Sequence, residues 1–119
     1  MLDRAHRFHG LGSLRFVYSR GQTVRGPLLA LKYARNSRRT DWRAAVVVSR
    51  KVHKSAVVRN RIRRRIFEII RTELKDFSEP YDLVFIAYSD QLAGASPTDV
   101  RESMAHYLST IRNLPGGER

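Results

Sequence analysis

Positive side chains crowd one short stretch of the chain, residues 50–65, in which half of the positions are Lys or Arg and none is Asp or Glu. A helix that needs only solubility alternates Glu with Lys, so that opposite charges pair along it. Like charges repel here, and an anionic partner would relieve that repulsion. Arginine also grips phosphate through two parallel hydrogen bonds. The stretch therefore favours nucleic-acid binding. Its cations are Arg50, Lys51, Lys54, Arg59, Arg61, Arg63, Arg64 and Arg65.

Side chains that catalyse reactions are sparse and scattered. The chain has no Cys, which excludes a thiolate nucleophile and a Cys-based zinc site. Its four His residues are dispersed, and no metal site is predicted. A protein nuclease usually clusters carboxylates around divalent metals. The eleven Asp and Glu residues are spread along the chain, and none lies in the basic stretch. We therefore expect no catalytic residue and no bound cofactor in the protein itself.

Length and composition predict one folded domain. The 119 residues are 42% hydrophobic, enough for a single core and too few for two domains. We expect one domain over residues 1–119, with an ordered core at about 12–112 and flexible termini. A formal net charge of +12 implies a polyanionic partner. No apolar run reaches transmembrane length and no hydrophobic leader begins the chain, so we expect a cytoplasmic protein without membrane contact.

The basic stretch divides into a loop and the start of an amphipathic helix. Residues 50–55 are predicted as loop, with Ser55 as the N-cap of a helix from Ala56 to about Leu74. Apolar residues recur at helical spacing along that helix and predict a stripe facing a core. The stripe contains Val58, Ile62, Ile66, Ile69, Ile70 and Leu74.

The other elements follow from local patterns. A first helix is predicted at residues 14–20, capped by Ser13 and ended by Gly21. Strands are predicted at 22–25, 28–34, 42–49 and 81–88, and a last helix begins at Ser96 and Pro97. The polar loop 35–41 predicts a hairpin, and the Val run 46–48 predicts a central strand. Together these predict an α/β (α+β) sandwich, in the order α-β-β-β-α-β-α, with helices packed on one central sheet.

Two segments of the basic region resemble the bacterial ribonuclease P protein family. They are Val48-Ser49-Arg50-Lys51 and Arg59-Asn60-Arg61-Ile62-Arg63-Arg64, which matches the family's RNR motif in sequence and spacing. Residues 16–21 resemble the family's first helix, and residues 82–87 resemble its last strand. The resemblance spans roughly residues 12–112. It implies a left-handed crossover through the basic helix, where the right-handed form is the usual one.

The resemblance implies the protein subunit of ribonuclease P, an endoribonuclease whose RNA carries the catalysis with Mg²⁺. Its partners would be the catalytic RNA and the 5′ leader of precursor tRNA, with no further protein required. It implies an RNA-subunit surface at Arg50, Lys51, Lys54, Arg59, Asn60, Arg61, Arg63, Arg64 and Arg65. It implies a leader cleft between the first helix and the sheet, with candidates Leu14, Phe16, Tyr18, Tyr33, Lys51 and Tyr88. Tyr88 stands where the family often has a basic residue.

A ribosomal-type structural RNA-binding protein without a processing role is the main alternative. Its usual size and charge fit this chain equally well, and only the register of the motif argues against it. A helix-turn-helix DNA-binding protein is disfavoured because Val-rich strands flank the basic helix.

Overall fold

Helices and strands follow one another in the predicted order. The computed structural model describes His6 and residues 11–114. The helices are α1 (Leu11–Arg20), α2 (Ala56–Glu73) and α3 (Pro97–Arg112), and a 3-10 helix, Asp90–Gly94, precedes α3. The strands are β1 (Gln22–Arg25), β2 (Leu29–Arg35), β3 (Arg43–Val48) and β4 (Tyr81–Ala87). The predicted fold class is confirmed. The predicted flexibility of the termini concerns residues that lie mostly outside the described ranges.

The four strands form one mixed sheet in the order β1-β2-β4-β3. β2 pairs antiparallel with both β1 and β4, whereas β3 pairs parallel with β4. The predicted hairpin between β2 and β3 is therefore wrong, because β4 lies between them. The hairpin instead joins β1 to β2, where Gly26 N–H donates to the Leu29 carbonyl at 2.9 Å.

The central strand is β4, in which six of seven residues are buried, and not β3 as predicted. β3 lies at the edge of the sheet. Its Ala44, Val46 and Val48 are buried beneath α2, while Ala45 and Val47 on the opposite face are only half-buried. A run of Val has high strand propensity whichever face is covered, so the run itself does not distinguish an edge strand from a central one.

Two layers of helix cover the sheet unequally. α2 and α3 pack on one face, here called the core face, where alternate residues of β2 and β4 such as Leu29, Leu31 and Phe85 are fully buried. α1 packs on β2 and β4 from the other face, here called the α1 face, where Ala30 and Val84 are buried. A ten-residue helix is too short to cover the whole α1 face, and part of that face stays open.

The start of α1 differs from the prediction. The helix begins at Leu11, so Ser13 lies inside its first turn and is not the N-cap. Local capping preference is a weak signal, and packing of Val17 on the sheet outweighs it. The predicted end is confirmed, since Gly21 N–H donates to the Val17 carbonyl at 2.8 Å. A Cβ at Gly21 would collide with the Val17 and Tyr33 carbonyls, so only glycine fits there.

The predicted caps of the two longer helices are confirmed. The Ser55 hydroxyl accepts a hydrogen bond from Val58 N–H at 3.4 Å. Ser96 and Asp99 form a reciprocal capping box at the start of α3, with Pro97 in its first turn. The predicted apolar stripe of α2 faces the core, and Phe67 joins it.

Candidate nucleic-acid interface

The loop between β3 and α2, residues 49–55, is here called the approach loop, and its own contacts hold it in one shape. Val52 is buried in the core and anchors its middle. Val52 N–H donates to the Ser49 carbonyl at 3.0 Å, and Ser55 N–H donates to His53 Nδ1 at 3.0 Å. The fixed backbone holds three cations in exposed positions, Arg50, Lys51 and Lys54.

Arg59 ties the approach loop to α2. One of its guanidinium nitrogens donates to the carbonyls of His53 and Lys54, both at 2.9 Å. Arg59 is half-buried in this position. These bonds set the angle at which the loop meets the helix, so Arg59 acts partly as a structural residue within the predicted RNA surface.

The remaining predicted residues lie on the outward face of α2. Some are tethered by a hydrogen bond to another part of the chain, and others are not. Arg63 donates to the Asn60 side-chain oxygen, and Arg65 donates to the Ala95 carbonyl at 3.1 Å. Arg61 and Arg64 are exposed and make no hydrogen bond or ion pair with any other part of the chain that the structure describes. On α2, these two guanidiniums are the ones most available to an anion.

Charge on α2 is concentrated in its N-terminal half. Its first turn holds no acidic residue, so the positive end of the helix dipole adds to the field of the arginines. Further along, Arg71 Nε donates to Glu68 at 2.9 Å. That hydrogen bond lowers the pKa of Glu68 below its ordinary value and keeps the carboxylate ionised. Arg71 and Glu68 neutralise each other. The net positive charge of α2 therefore lies in its N-terminal half, as a cationic patch next to the approach loop.

A shallow groove of about 350 Å³ extends this patch between α2 and α3. Arg61, Arg64 and Arg65 line it together with Arg101 of α3 and with Glu68. Arg101 also lies 3.8 Å from the Glu73 carboxylate. Sequence reasoning missed Arg101, because no local pattern links it to residues nearly 40 positions earlier. Only the packing of α3 against α2 brings these residues together.

α1 presents different side chains on its two flanks. Val17 points into the α1 face of the sheet and is fully buried. Leu14 and Tyr18, four residues apart, share one flank, and Phe16 and Arg20 share the other. Phe16 and Tyr18 are 49% and 40% exposed, so both rings are available to a ligand, but on opposite sides of the helix.

The Leu14–Tyr18 flank borders the open part of the α1 face, here called the α1 cleft. Because Phe16 and Arg20 face the end of β2, the opposite flank faces the end of the sheet where β3 leads into the approach loop. Half-buried Val47 and Ile86 lie on the α1 face of β3 and β4, near that end of the sheet. Partial burial raises the pKa of Tyr18 above its ordinary value, so its ring stays neutral at physiological pH. Apolar side chains of the sheet beside an exposed neutral ring suit base stacking.

Two predicted cleft residues lie on the core face or beside it. The Tyr33 ring packs edge-on against Tyr81 at 6.3 Å and contacts the hydrophobic core. The Tyr88 hydroxyl donates to the Gly26 carbonyl, and its ring lies near the Tyr107 hydroxyl of α3. Adjacent residues of a strand point to opposite faces, so Lys32, not Tyr33, lies on the α1 face. Sequence reasoning chose the aromatic residue, whose ring lies on the core face.

The described residues offer no group of three or more His, Asp or Glu side chains placed to hold a metal ion. Among them, none of the helices has both the length and the apolar character needed to span a membrane.

The family model for ribonuclease P matches residues 2–112. This chain belongs to the ribonuclease P protein family. The ribonuclease P protein component of Chloroflexus aurantiacus is 36% identical over 114 residues, which cover 96% of this chain and 83% of that protein. That of Clostridium botulinum strain 657 is 47% identical over 74 residues, covering 61% of this chain and 65% of that protein.

Solved structures of ribonuclease P proteins share the fold. The Staphylococcus aureus protein superposes with a TM-score of 0.79 at 21% identity, covering 93% of this chain and 98% of that one. The Thermotoga maritima protein gives a TM-score of 0.75 at 21% identity, covering 87% and 96%. As a family member, the chain is the protein subunit of ribonuclease P, a ribonucleoprotein endoribonuclease, and its partner is the ribonuclease P RNA. The predicted family is confirmed.

Proposed function

We propose that this chain docks on the catalytic RNA through the approach loop and the N-terminal half of α2, and holds the 5′ leader of precursor tRNA in the α1 cleft. The observation that carries the proposal is the pair of untethered guanidiniums, Arg61 and Arg64, beside a rigid basic loop. Phosphate contacts of this kind position a partner without reading its sequence. The RNA-contacting residues are Arg50, Lys51, Lys54, Arg59, Asn60, Arg61, Arg63, Arg64 and Arg65.

The leader site consists of Leu14 and Tyr18 on α1, with Lys51 at the edge of the approach loop. A leader varies in sequence between tRNAs, so its site must tolerate any base. Stacking on Tyr18 meets that need, because every base has a flat face, and Lys51 supplies a cation for the backbone. The bond is cut by Mg²⁺ held in the RNA, and the protein contributes positioning and charge. We expect the whole chain, residues 1–119, to act as one cytoplasmic domain.

The test is cleavage of a 5′-extended precursor tRNA at low Mg²⁺ by ribonuclease P RNA, with and without the chain. We expect stimulation by the protein, and no cleavage by the protein alone. Low Mg²⁺ makes the assay sensitive, because protein cations then replace counterions that the RNA otherwise takes from solution.

The other outcomes are equally informative. Tight RNA binding without stimulation would favour the structural RNA-binding alternative. Cleavage by the protein in the absence of any RNA subunit would overturn the assignment of catalysis to RNA.

A further inference from the structure

A second groove lies on the flank of α1 away from the cleft, and the proposed function does not use it. It has a volume of about 370 Å³ and wraps round the end of β2. Its walls are formed mainly by Phe16 and Arg20 of α1, Gln22, Tyr33, Arg35 and Tyr81.

The groove has an aromatic wall, of which Phe16 is the exposed part. Phe16 is half-exposed although neighbouring Val17 is fully buried, so its ring is not part of the core. Half-buried Tyr33 and buried Tyr81 also line the groove, and their rings stand edge to face at 6.3 Å between centroids. A flat apolar group of the size of a nucleobase fits against such a wall.

The groove is also positively charged. The Arg35 guanidinium lies 5.8 Å from the centre of the Tyr81 ring, which orients it over the aromatic wall. Arg20 is exposed and has no hydrogen bond or ion pair with the described part of the chain. No acidic side chain is among the described residues that line the groove. Aromatic rings interleaved with cations indicate a single-stranded nucleic acid as the occupant.

The position of the groove separates it from the RNA-subunit surface. Tyr81 begins β4, while the approach loop follows β3 at the other end of the parallel β3–β4 pair. Seven strand residues put about 20 Å between these ends. The α1 cleft is nearer, because only the width of one helix, about 10 Å, lies between the two flanks of α1.

We propose that this groove binds a distal segment of the 5′ leader, upstream of the segment held in the α1 cleft. One base stacks on Phe16, and Arg20 and Arg35 contact the flanking phosphates. The inference rests on the proposed function, and it adds a second site for the leader on this protein. A strand leaving the cleft reaches the groove by crossing α1, which a short leader cannot do.

The experiment measures the affinity of the reconstituted holoenzyme for precursor tRNAs whose leaders lengthen one nucleotide at a time. We expect affinity to rise first as the leader fills the α1 cleft, and a second time once the leader is long enough to cross α1. Phe16→Ala should remove that second rise, a loss of about five- to a hundredfold, and Phe16→Trp should retain it. Arg20→Ala should reduce it. Arg71→Ala is the control, because Arg71 is exposed on α2, outside this groove and away from α1, and it should change nothing.

Four outcomes would overturn the inference. Two are that Phe16→Ala weakens the binding of short and long leaders equally, or that it leaves both unchanged. A third is that Phe16→Ala weakens binding to the RNA subunit alone, which would assign the groove to that RNA. A second rise that emerges only after deletion of residues 115–119 would assign the groove to the C-terminal tail, which follows Leu114 at its rim. Failure of the proposed function is distinct, since the wild-type protein would then not stimulate cleavage.

Discussion

At the scale of single residues, arginines of the same basic stretch serve different purposes. Arg59 and Arg65 donate to backbone carbonyls and hold other elements in place. Arg61 and Arg64 have no such bonds within the described residues and remain available to an anion. The side chains differ in whether a carbonyl acceptor lies within reach of the guanidinium. That depends on the angle of each residue around the helix and not on residue type.

Arg61→Ala and Arg64→Ala should each weaken binding to ribonuclease P RNA. Each loss removes about one phosphate contact, so the slope of log affinity against log salt should flatten by up to about one unit. Affinity measured across a salt series gives the slope. Arg71→Ala is the matched control on the same helix, because its charge is already neutralised by Glu68. An unchanged slope for Arg61→Ala and Arg64→Ala would exclude phosphate contact by these residues.

Tyr18→Ala should weaken holoenzyme binding to precursor tRNA and spare mature tRNA, which has no leader. Loss of one stacked base costs about 1–3 kcal/mol. Equilibrium binding of both tRNAs provides the comparison, with Tyr18→Phe expected to bind like the wild type because the ring is retained. Equal losses on both tRNAs would place the effect outside the leader.

At the scale of elements, the approach loop and α2 work as one unit. The loop is anchored by Val52 in the core, and Arg59 closes it onto the helix. Cations on such a loop lose little conformational freedom when they bind, so less binding energy is spent on ordering them.

Arg59→Met should loosen the approach loop, because the His53 and Lys54 carbonyls lose their donor. We expect faster amide hydrogen exchange in residues 49–55 and a loss of roughly 1–3 kcal/mol in stability. Arg63→Met is the control, since the hydrogen bond that it loses is to Asn60 on the same helix. Similar loop exchange in the two variants would rule out the anchoring role.

At the scale of the whole molecule, the sheet separates the two proposed RNA-binding surfaces. α2 lies on the core face and the α1 cleft on the opposite face, and the approach loop joins β3 of the sheet to α2. A buried ion pair supports this arrangement. Arg43 Nε donates to Asp82 at 2.7 Å across the parallel β3–β4 pair, and the Asn36 amide donates to Asp82 at 3.1 Å. Together they hold edge strand β3, and the loop before it, against central β4.

Asp82→Asn should destabilise the fold strongly, because it removes the carboxylate that balances buried Arg43. Breaking a buried pair from one side costs ~3–5 kcal/mol. Urea unfolding measures the loss. Glu68→Gln breaks an exposed pair and should change stability little. A shift for Asp82→Asn as small as that of the control would show that the pair does not hold β3 in place.

Sequence alone determined the order of elements, the caps of α2 and α3, the apolar stripe of α2 and the basic surface. These depend on periodicity, on capping and on charge within short windows, which act before any long-range contact forms. The RNR motif in its register was also enough to identify the family.

Tertiary structure alone decided which strand is central, which arginines are tethered and which aromatic residues share a groove. In the sheet, β4 lies between β2 and β3, although the polar loop that joins those two strands predicts a hairpin. Phe16 and Tyr18, nearly adjacent in sequence, face different grooves because Val17 fixes the rotation of α1 on the sheet. Such outcomes depend on contacts between residues far apart in the chain, and a local pattern carries no information about them.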